Sequence, residues 1–555
     1  MNIAQLMAQS AARWPDRVAV SAPISNWLPW SKPHYVHLNF GQLEEYSTLY
    51  AMQLRDSGAK AGDRALLFVP PSIEFPILTF ALFKLGVVPV MIDPGMGPMQ
   101  LLRVINQAKP SIMIGNFKAH LLRMLFPKPF GKLKIKLATS VIKLPGTITT
   151  KNWSRPIAGQ DSSSFTPYDC DHQQSAAILY TSGGTGAPKG VLYTHQIFTT
   201  QTQMLQQIFC LGPEDVDLPG FPLFSLFTIT MGMRSVVPRM DPSKPAKANP
   251  KKLVQAIIDQ KVTFAAGSPA IWQGVAAYCL RKKITLPSLK YLVMFGAPVP
   301  IKLHQMFAPI LTGGTTYTPY GATEALPIAT ISGETILSET AAQTVQGEGV
   351  CVGEVTLGVK AKIIALSEEQ ISNLEDATEL AVGEIGEIIV CGANVTQGYL
   401  DNPAADRLSK ISAPSASGAE IWHRMGDLGR MDSRNRLWFY GRKVHRVISS
   451  ENDIFYPISC ESIINQHPQI NRSALVGVMD QGQRVPGLVI ESSGIKMNRQ
   501  FIAELKALRD SSPVTKSIRL LYLYPRFPVD VRHNIKIDRI KLAYLVSQGE
   551  AIQIE

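Results

Sequence analysis

The sequence predicts an α/β protein in which helices cover a largely parallel sheet, followed by a β-rich region and a small α+β domain. Three observations predict it. Apolar runs such as Thr263 to Ala266 and Leu292 to Phe295 alternate with helical stretches such as Pro250 to Gln260 and Ile271 to Lys282, the signature of βα units. From Val382 the pattern changes to short strands, Gly386 to Cys391 and Arg436 to Tyr440, broken by Gly and Asn. From about Gly441 come strand-like Ser473 to Val478 and Leu488 to Glu491, a helix over Asn498 to Ala507 and strand-like Ile518 to Leu523. That last stretch suits a small separate domain. A chain of 555 residues exceeds one ordinary core, and the predicted division is an N-terminal domain of 1–440 and a C-terminal domain of 441–555.

Residues Met1 to about Asp93 read as helix, hairpin-like strands, helix, then strand. The longest apolar run, Phe75 to Ile92, carries Lys84 and two prolines and is barely long enough to span a bilayer. It reads better as a helix followed by a buried strand. The N-terminus lacks the basic flank and apolar run of a secretion signal, so a cytoplasmic location is expected. Six scattered cysteines indicate neither a zinc site nor a disulfide framework.

The net charge is +12, and its source is local. Between Asp93 and Asp161 there is no carboxylate, whereas Arg103, Lys109, Lys118, Arg123, Lys128, Lys132, Lys134, Lys136, Lys143, Lys151 and Arg155 are all basic. Within this segment Leu121 to Leu137 mixes bulky apolar and basic residues. A peripheral membrane or acidic-protein contact would have that composition, and so would a solvated basic face. No nucleic-acid-binding module accompanies the charge, and nucleic acid is not an expected partner.

The stretch Ile178 to Gly190 carries most of the chemistry. An apolar strand, Ala176 to Leu179, runs into a loop with Gly183, Gly184, Gly186 and Gly190, the hydroxyls of Thr181, Ser182 and Thr185, and the ammonium of Lys189. Glycines allow positive φ and close approach of backbone N–H groups to a ligand, and hydroxyls and an ammonium add donors. A polyphosphate suits this loop, and a flexible surface loop is the plainer alternative. A P-loop kinase is a poor match, because Gly190 follows Lys189 where that motif has Ser or Thr.

Five further stretches follow in order. Gly296-Ala297-Pro298 and Tyr320-Gly321-Ala322-Thr323-Glu324 each close an apolar strand, where open α/β sheets place ligands. His423 to Leu428, containing Asp427, precedes Tyr440-Gly441-Arg442-Lys443, and Asn534 to Arg539 lies near the C-terminus. Singly, Asp427 could be a turn residue and Lys536 one more surface lysine.

Together, over Leu43 to Leu542, the set resembles the adenylate-forming superfamily of acyl-CoA synthetases, luciferases and adenylation domains. The resemblance implies a large N-terminal domain of two helix-flanked sheets plus a β-barrel subdomain, with a small mobile C-terminal lid. It implies ATP and Mg²⁺ as cofactors. Thr181 to Lys189 would hold the phosphates, Glu324 would ligate Mg²⁺, and Thr323 would lie beside the phosphate. Gly296, Ala297, Pro298 and Tyr320, with Gly321 and Ala322, would line the nucleotide slot. Asp427 would take the ribose hydroxyls with Arg442 nearby, and Lys536 would bridge the substrate carboxylate and the α-phosphate.

The departures from the superfamily pattern are informative. Gly184 stands where Ser or Thr is usual, Ser225 where His is frequent, Val444 at the hinge where Asp or Lys is usual, and Ser449-Ser450-Glu451-Asn452 where CoA ligases carry a Ser-Gly-Gly-type turn. These changes bear on the thioester half-reaction and leave adenylation intact. One branch fits them better, the olefin-biosynthesis β-lactone synthetases. The chain is similar to it at Asp217 to Phe224, Met240 to Ala246, Gly267 to Ala270, Thr318 to Glu324, Cys351 to Gly353, His423 to Asp427 and Phe527 to Lys536.

That branch implies activation of a long-chain 2-alkyl-3-hydroxy acid and closure to a β-lactone, which needs no CoA tunnel because the nucleophile is already tethered to the electrophile. A multienzyme assembly is a further expectation. His195 and His533 are candidates for the base that takes the hydroxyl proton. The alternative is a fatty acyl-CoA or acyl-carrier-protein ligase.

Overall fold

The alternating apolar and helical stretches form two mainly parallel sheets. The computed structural model describes residues 2–24, 34–93, 95–139, 144–150, 165–181, 188–415, 418–480, 482–495, 497–529 and 536–554. In the first sheet, of seven strands, Arg64–Phe68 and Val88–Ile92 lie at the centre and pair in parallel. Val88–Ile92 also pairs in parallel with Ser175–Thr181, which pairs antiparallel with Lys189–Thr194. The apolar run from Phe75 therefore becomes the helix Glu74–Lys84 and the strand Val88–Ile92, as expected. Its single lysine is explained by packing: Lys84 is buried and its ammonium meets Glu44 Oε1 at 2.7 Å and Thr48 Oγ1 at 2.7 Å. The sequence reading merges two helices here, Phe40–Asp56 and Glu74–Lys84, and passes over the strand Arg64–Phe68 between them.

The second sheet has fourteen strands. Val216–Pro219, Phe264–Gly267, Tyr291–Met294 and Thr315–Ala322 run parallel, and their C-terminal ends point to one edge. The β-rich region expected from Val382 begins earlier, at the turn after Ala322. Ala325–Ser332 reverses direction, and Val350–Val355, Arg436–Arg442, Gly418–Met431 and Gly386–Gly392 follow as antiparallel neighbours within the same hydrogen-bonded sheet. Arg436–Arg442 continues two residues past Tyr440.

Aromatic rings fill the space between the sheets. Phe83, Phe198 and Phe227 pack in series at 5.9 and 5.6 Å, and they join one continuous apolar core. The C-terminal part has its own core and a four-stranded sheet of Ser473–Asp480, Gln483–Glu491, Leu520–Tyr524 and Ile552–Gln553. Its helix Arg499–Asp510 starts where Asn498 accepts the amide of Phe501 at 2.8 Å.

Candidate active site

The strands on either side of the glycine-rich stretch pair with each other. Thr181 ends one and Lys189 starts the other, the two facing each other in register. Ser182, Gly183, Gly184, Thr185 and Gly186, the side chain of Thr181, and His533 lie outside the described residues. Gly190 is a correction. It sits inside the strand opposite Tyr180, and a Cβ there would come within 2.7 Å of the tyrosine ring. Its missing side chain makes room for Tyr180.

The turn that carries Thr323 and Glu324 joins Thr315–Ala322 to Ala325–Ser332. Gly321 lets it close, because a Cβ would sit 2.5 Å from Ala325 O. Three bonds pin the turn: Tyr193 donates its hydroxyl to Thr323 O at 2.7 Å, Thr396 N donates to Glu324 O at 2.9 Å, and Tyr399 donates its hydroxyl to Glu324 Oε1 at 2.8 Å. The Lys189 ammonium lies 4.8 Å from the centre of the Tyr399 ring. Tyr399 thus links the lysine of the glycine loop to the carboxylate of the turn.

A second lysine lies alongside. Lys410 donates to Thr396 O and, at 3.3 Å, to Thr396 Oγ1, with its ammonium 5.9 Å from the same tyrosine ring. Burial pushes its ammonium down to about 8, against the opposing pull of Glu324 and Asp406. Neither Tyr399 nor Lys410 belongs to a stretch singled out in the sequence. Each comes to the site through contacts between residues distant along the chain, with no local pattern to mark it.

Asp427 is buried in the strand Gly418–Met431, where it faces Arg442 in register. Its Oδ2 accepts from the Tyr320 hydroxyl at 2.7 Å and its Oδ1 from Arg442 at 2.9 Å. Burial raises its carboxyl above the usual range, and the charges of Arg442 and Lys536 and the bond from Tyr320 work against that rise. Lys536 is exposed, and its field reaches Asp427. Tyr320, Asp427 and Arg442 are therefore neighbours.

The surrounding His423 to Leu428 motif is mostly scaffold. His423 is buried with Nδ1 against Ser409 O at 3.1 Å, and burial holds it neutral. Arg424 reaches Glu387 at 2.6 Å, and Lys443 reaches the same carboxylate at 3.0 Å. Gly296, Ala297 and Pro298 follow the C-terminal end of the parallel strand Tyr291–Met294. His195 is placed elsewhere in function: it begins the helix His195–Phe209, its Nδ1 faces Ile3 N at 3.4 Å, and its ring packs on Phe83. Burial lowers it to about 4. These contacts are those of a packed core histidine.

No group of three or more His, Cys, Asp or Glu that could hold a metal occurs among the described residues. A lone oxygen donor such as Glu324 suits Mg²⁺, which keeps most of its shell as water and phosphate oxygens.

The family model for AMP-binding enzymes matches residues 7–400. The chain belongs to the AMP-binding enzyme family. Within that family it is 38% identical to an olefin β-lactone synthetase of Xanthomonas campestris pv. campestris, with 99% of this chain and 98% of the relative covered. It is 36% identical to an olefin β-lactone synthetase of Stenotrophomonas maltophilia, with 98% of each covered. Among solved structures, an anthranilate CoA ligase in complex with anthranoyl-AMP superposes with a TM-score of 0.79 at 17% identity, over 99% of this chain and 98% of that one. That last likeness concerns the fold alone.

Proposed function

We infer that this AMP-binding enzyme activates a long-chain 2-alkyl-3-hydroxy carboxylic acid with ATP and closes it to a β-lactone. The substrate carboxylate attacks the α-phosphorus, giving an acyl-adenylate and pyrophosphate. The 3-hydroxyl oxygen then attacks the acyl carbonyl, its proton passes to a base, and AMP leaves. What carries the reading is the full-length likeness to two olefin β-lactone synthetases.

In this reading the 181–189 loop, with Thr181, Ser182, Gly183, Gly184, Thr185, Gly186 and Lys189, holds the phosphates. Asp427 accepts the ribose hydroxyls, steadied by Tyr320 and Arg442. Gly296, Ala297, Pro298, Gly321 and Ala322 line the base, with Thr323 beside the phosphate. Glu324, oriented by Tyr399, holds Mg²⁺, which supplies charge neutralisation at the phosphates when bound. Lys536 stabilises charge that develops on the α-phosphate. With His195 committed to the Ile3 amide and Phe83, His533 is the proposed base for the hydroxyl proton. Residues 441–555 act as the lid over residues 1–440.

No helix among the described residues is long and apolar enough to cross a membrane. A greasy acid and a strained-ring product favour transfer within a multienzyme assembly or at a surface reached through the basic segment 103–155. The test of the reaction is mass spectrometry of the product made from a 2-alkyl-3-hydroxy acid and ATP without CoA. A β-lactone with matching AMP release is expected. Strict dependence on CoA, with a thioester as product, would overturn the reading in favour of an acyl-CoA ligase.

A further inference from the structure

The basic segment contains a helix whose apolar side faces out. Phe117–Leu125 is capped by Asn116, whose side chain accepts from Ala119 N at 3.1 Å. Its inner side is made of small or polar groups and one leucine. His120 is fully buried with Nε2 at 3.0 Å from Leu137 O, and Ala119 and Leu122 pack against the core beneath. The remaining large apolar residues are on the outside: Leu125 is 65% exposed, Phe126 46%, Met124 45%, Leu121 41% and Phe117 38%.

Their spacing makes this a stripe. At about 100° per residue, Phe117, Leu121, Met124 and Leu125 fall within an arc of roughly 100° on one helix face. A soluble helix normally turns such an arc inward, and here the inward side is the shorter, more polar one. Lysines surround the stripe. Lys118 borders it, and Lys128, Lys132 and Lys134 are exposed in the turns that lead to the strand Ile135–Ala138.

We propose that the Phe117–Phe126 face docks this enzyme on an anionic lipid bilayer, its apolar stripe sunk at the headgroup level and its lysines on the lipid charges. Exposed apolar side chains ringed by cations are what an interfacial helix presents to such a surface. The missing carboxylates between Asp93 and Asp161 remove the repulsion that an anionic surface would otherwise meet. An acidic protein would satisfy the lysines but would need its own apolar groove for five protruding side chains. The lipid surface satisfies both halves of the face at once. This deepens the surface-contact reading above and does not depend on which acid is activated.

The test uses the full chain and extruded vesicles of phosphatidylcholine alone or of a two-to-one mixture with phosphatidylglycerol. The wild type should co-sediment with the mixed vesicles at least fivefold more than with the neutral ones. Leu121→Gln/Leu125→Gln/Phe126→Gln should lose at least fivefold of that binding with its melting curve unchanged, and Lys128→Gln/Lys132→Gln/Lys134→Gln should lose it in a salt-dependent way. ATP-dependent pyrophosphate release on a short, water-soluble 3-hydroxy acid should be equal in all three. Failure of that release in the wild type would count against the reaction and leave the docking result standing. Absence of wild-type sedimentation, or equal sedimentation by the apolar variant, would overturn the proposal. Loss in the lysine variant alone would also overturn it, since it would leave a plain basic face suited to an acidic protein.

Discussion

Removing one oxygen tests how the candidate metal carboxylate is set. Tyr399→Phe keeps the ring beneath Lys189 and deletes only the hydroxyl that donates to Glu324 Oε1 at 2.8 Å. Without that donor the Glu324 side chain regains rotamer freedom, and binding Mg²⁺ must order it again. Fixing a glutamate side chain costs about 1.5 kcal/mol, which is about a tenfold change in an equilibrium constant. The expected result is therefore an apparent Mg²⁺ requirement for pyrophosphate release raised about tenfold, with the rate at saturating Mg²⁺ falling much less. Tyr399→Leu also removes the ring below Lys189, adding about 0.5–2 kcal/mol of lost cation–π attraction, and should raise the ATP requirement as well. The assay is pyrophosphate release titrated with Mg²⁺ at fixed ATP, paired with Mn²⁺ binding followed by electron paramagnetic resonance. An unchanged Mg²⁺ dependence in Tyr399→Phe would refute the claim that Tyr399 orients Glu324.

Two further outcomes are expected. Lys536→Ala should lower single-turnover pyrophosphate release by about 10²–10³-fold, the usual loss of one positioned donor, while ATP binding measured by calorimetry changes little; unaltered turnover would remove Lys536 from the mechanism. Asp217 is fully buried, its Oδ2 accepts from Thr228 at 2.7 Å, its Oδ1 has no hydrogen-bond partner among the described residues, and burial lifts its carboxyl from 3.8 to about 7. The folded chain thus keeps a proton that the unfolded chain has already released, so this group lowers stability progressively as pH rises from about 4 to about 7, by up to about 4 kcal/mol. Asp217→Asn should gain on the wild type between pH 5 and pH 8 in urea unfolding, and parallel pH profiles would contradict the assignment.

Sequence legibility followed the range of the interactions. The helices Pro250–Gln260 and Pro269–Lys282 and the strands Phe264–Gly267 and Tyr291–Met294 were legible because apolar spacing is local. Asp427 and Tyr320 were legible as motif members, yet their direct bond was not, since it joins residues 107 positions apart. Tyr399 and Lys410 gave no signal for the same reason. Tyr399 meets a carboxylate 75 positions away. Gly190 misled because a glycine that accommodates a neighbouring ring and a glycine that admits a phosphate look alike in one dimension. His195 misled because a histidine beside a glycine loop says nothing of the helix that later packs over it.

The altered stretches fit an enzyme that supplies its second nucleophile from within the first substrate. Between the short strands Val447–Ile448 and Ile454–Phe455 the chain turns at Ser449 to Asp453, closed by Ser449 N to Asp453 O at 2.9 Å and Asn452 N to Ser449 O at 3.0 Å. Asn452 takes φ +65, a conformation that Asn tolerates better than most side chains. The turn keeps its shape without glycine, but its backbone is now screened by exposed side chains at Ser450, Glu451 and Asn452. A bare Gly-Gly turn leaves its backbone open to a pantetheine arm, whereas this one carries three exposed side chains. Ser225 carries the same logic to the acyl side. Its hydroxyl is spent on Pro222 O at 2.7 Å, and beside it Phe224 stacks on Phe295 at 4.6 Å, so no ionisable side chain stands where a gate between two substrates would. When the hydroxyl and the activated carbonyl belong to one molecule, orientation replaces entry of a second substrate, and neither the turn nor the gate has a function to preserve.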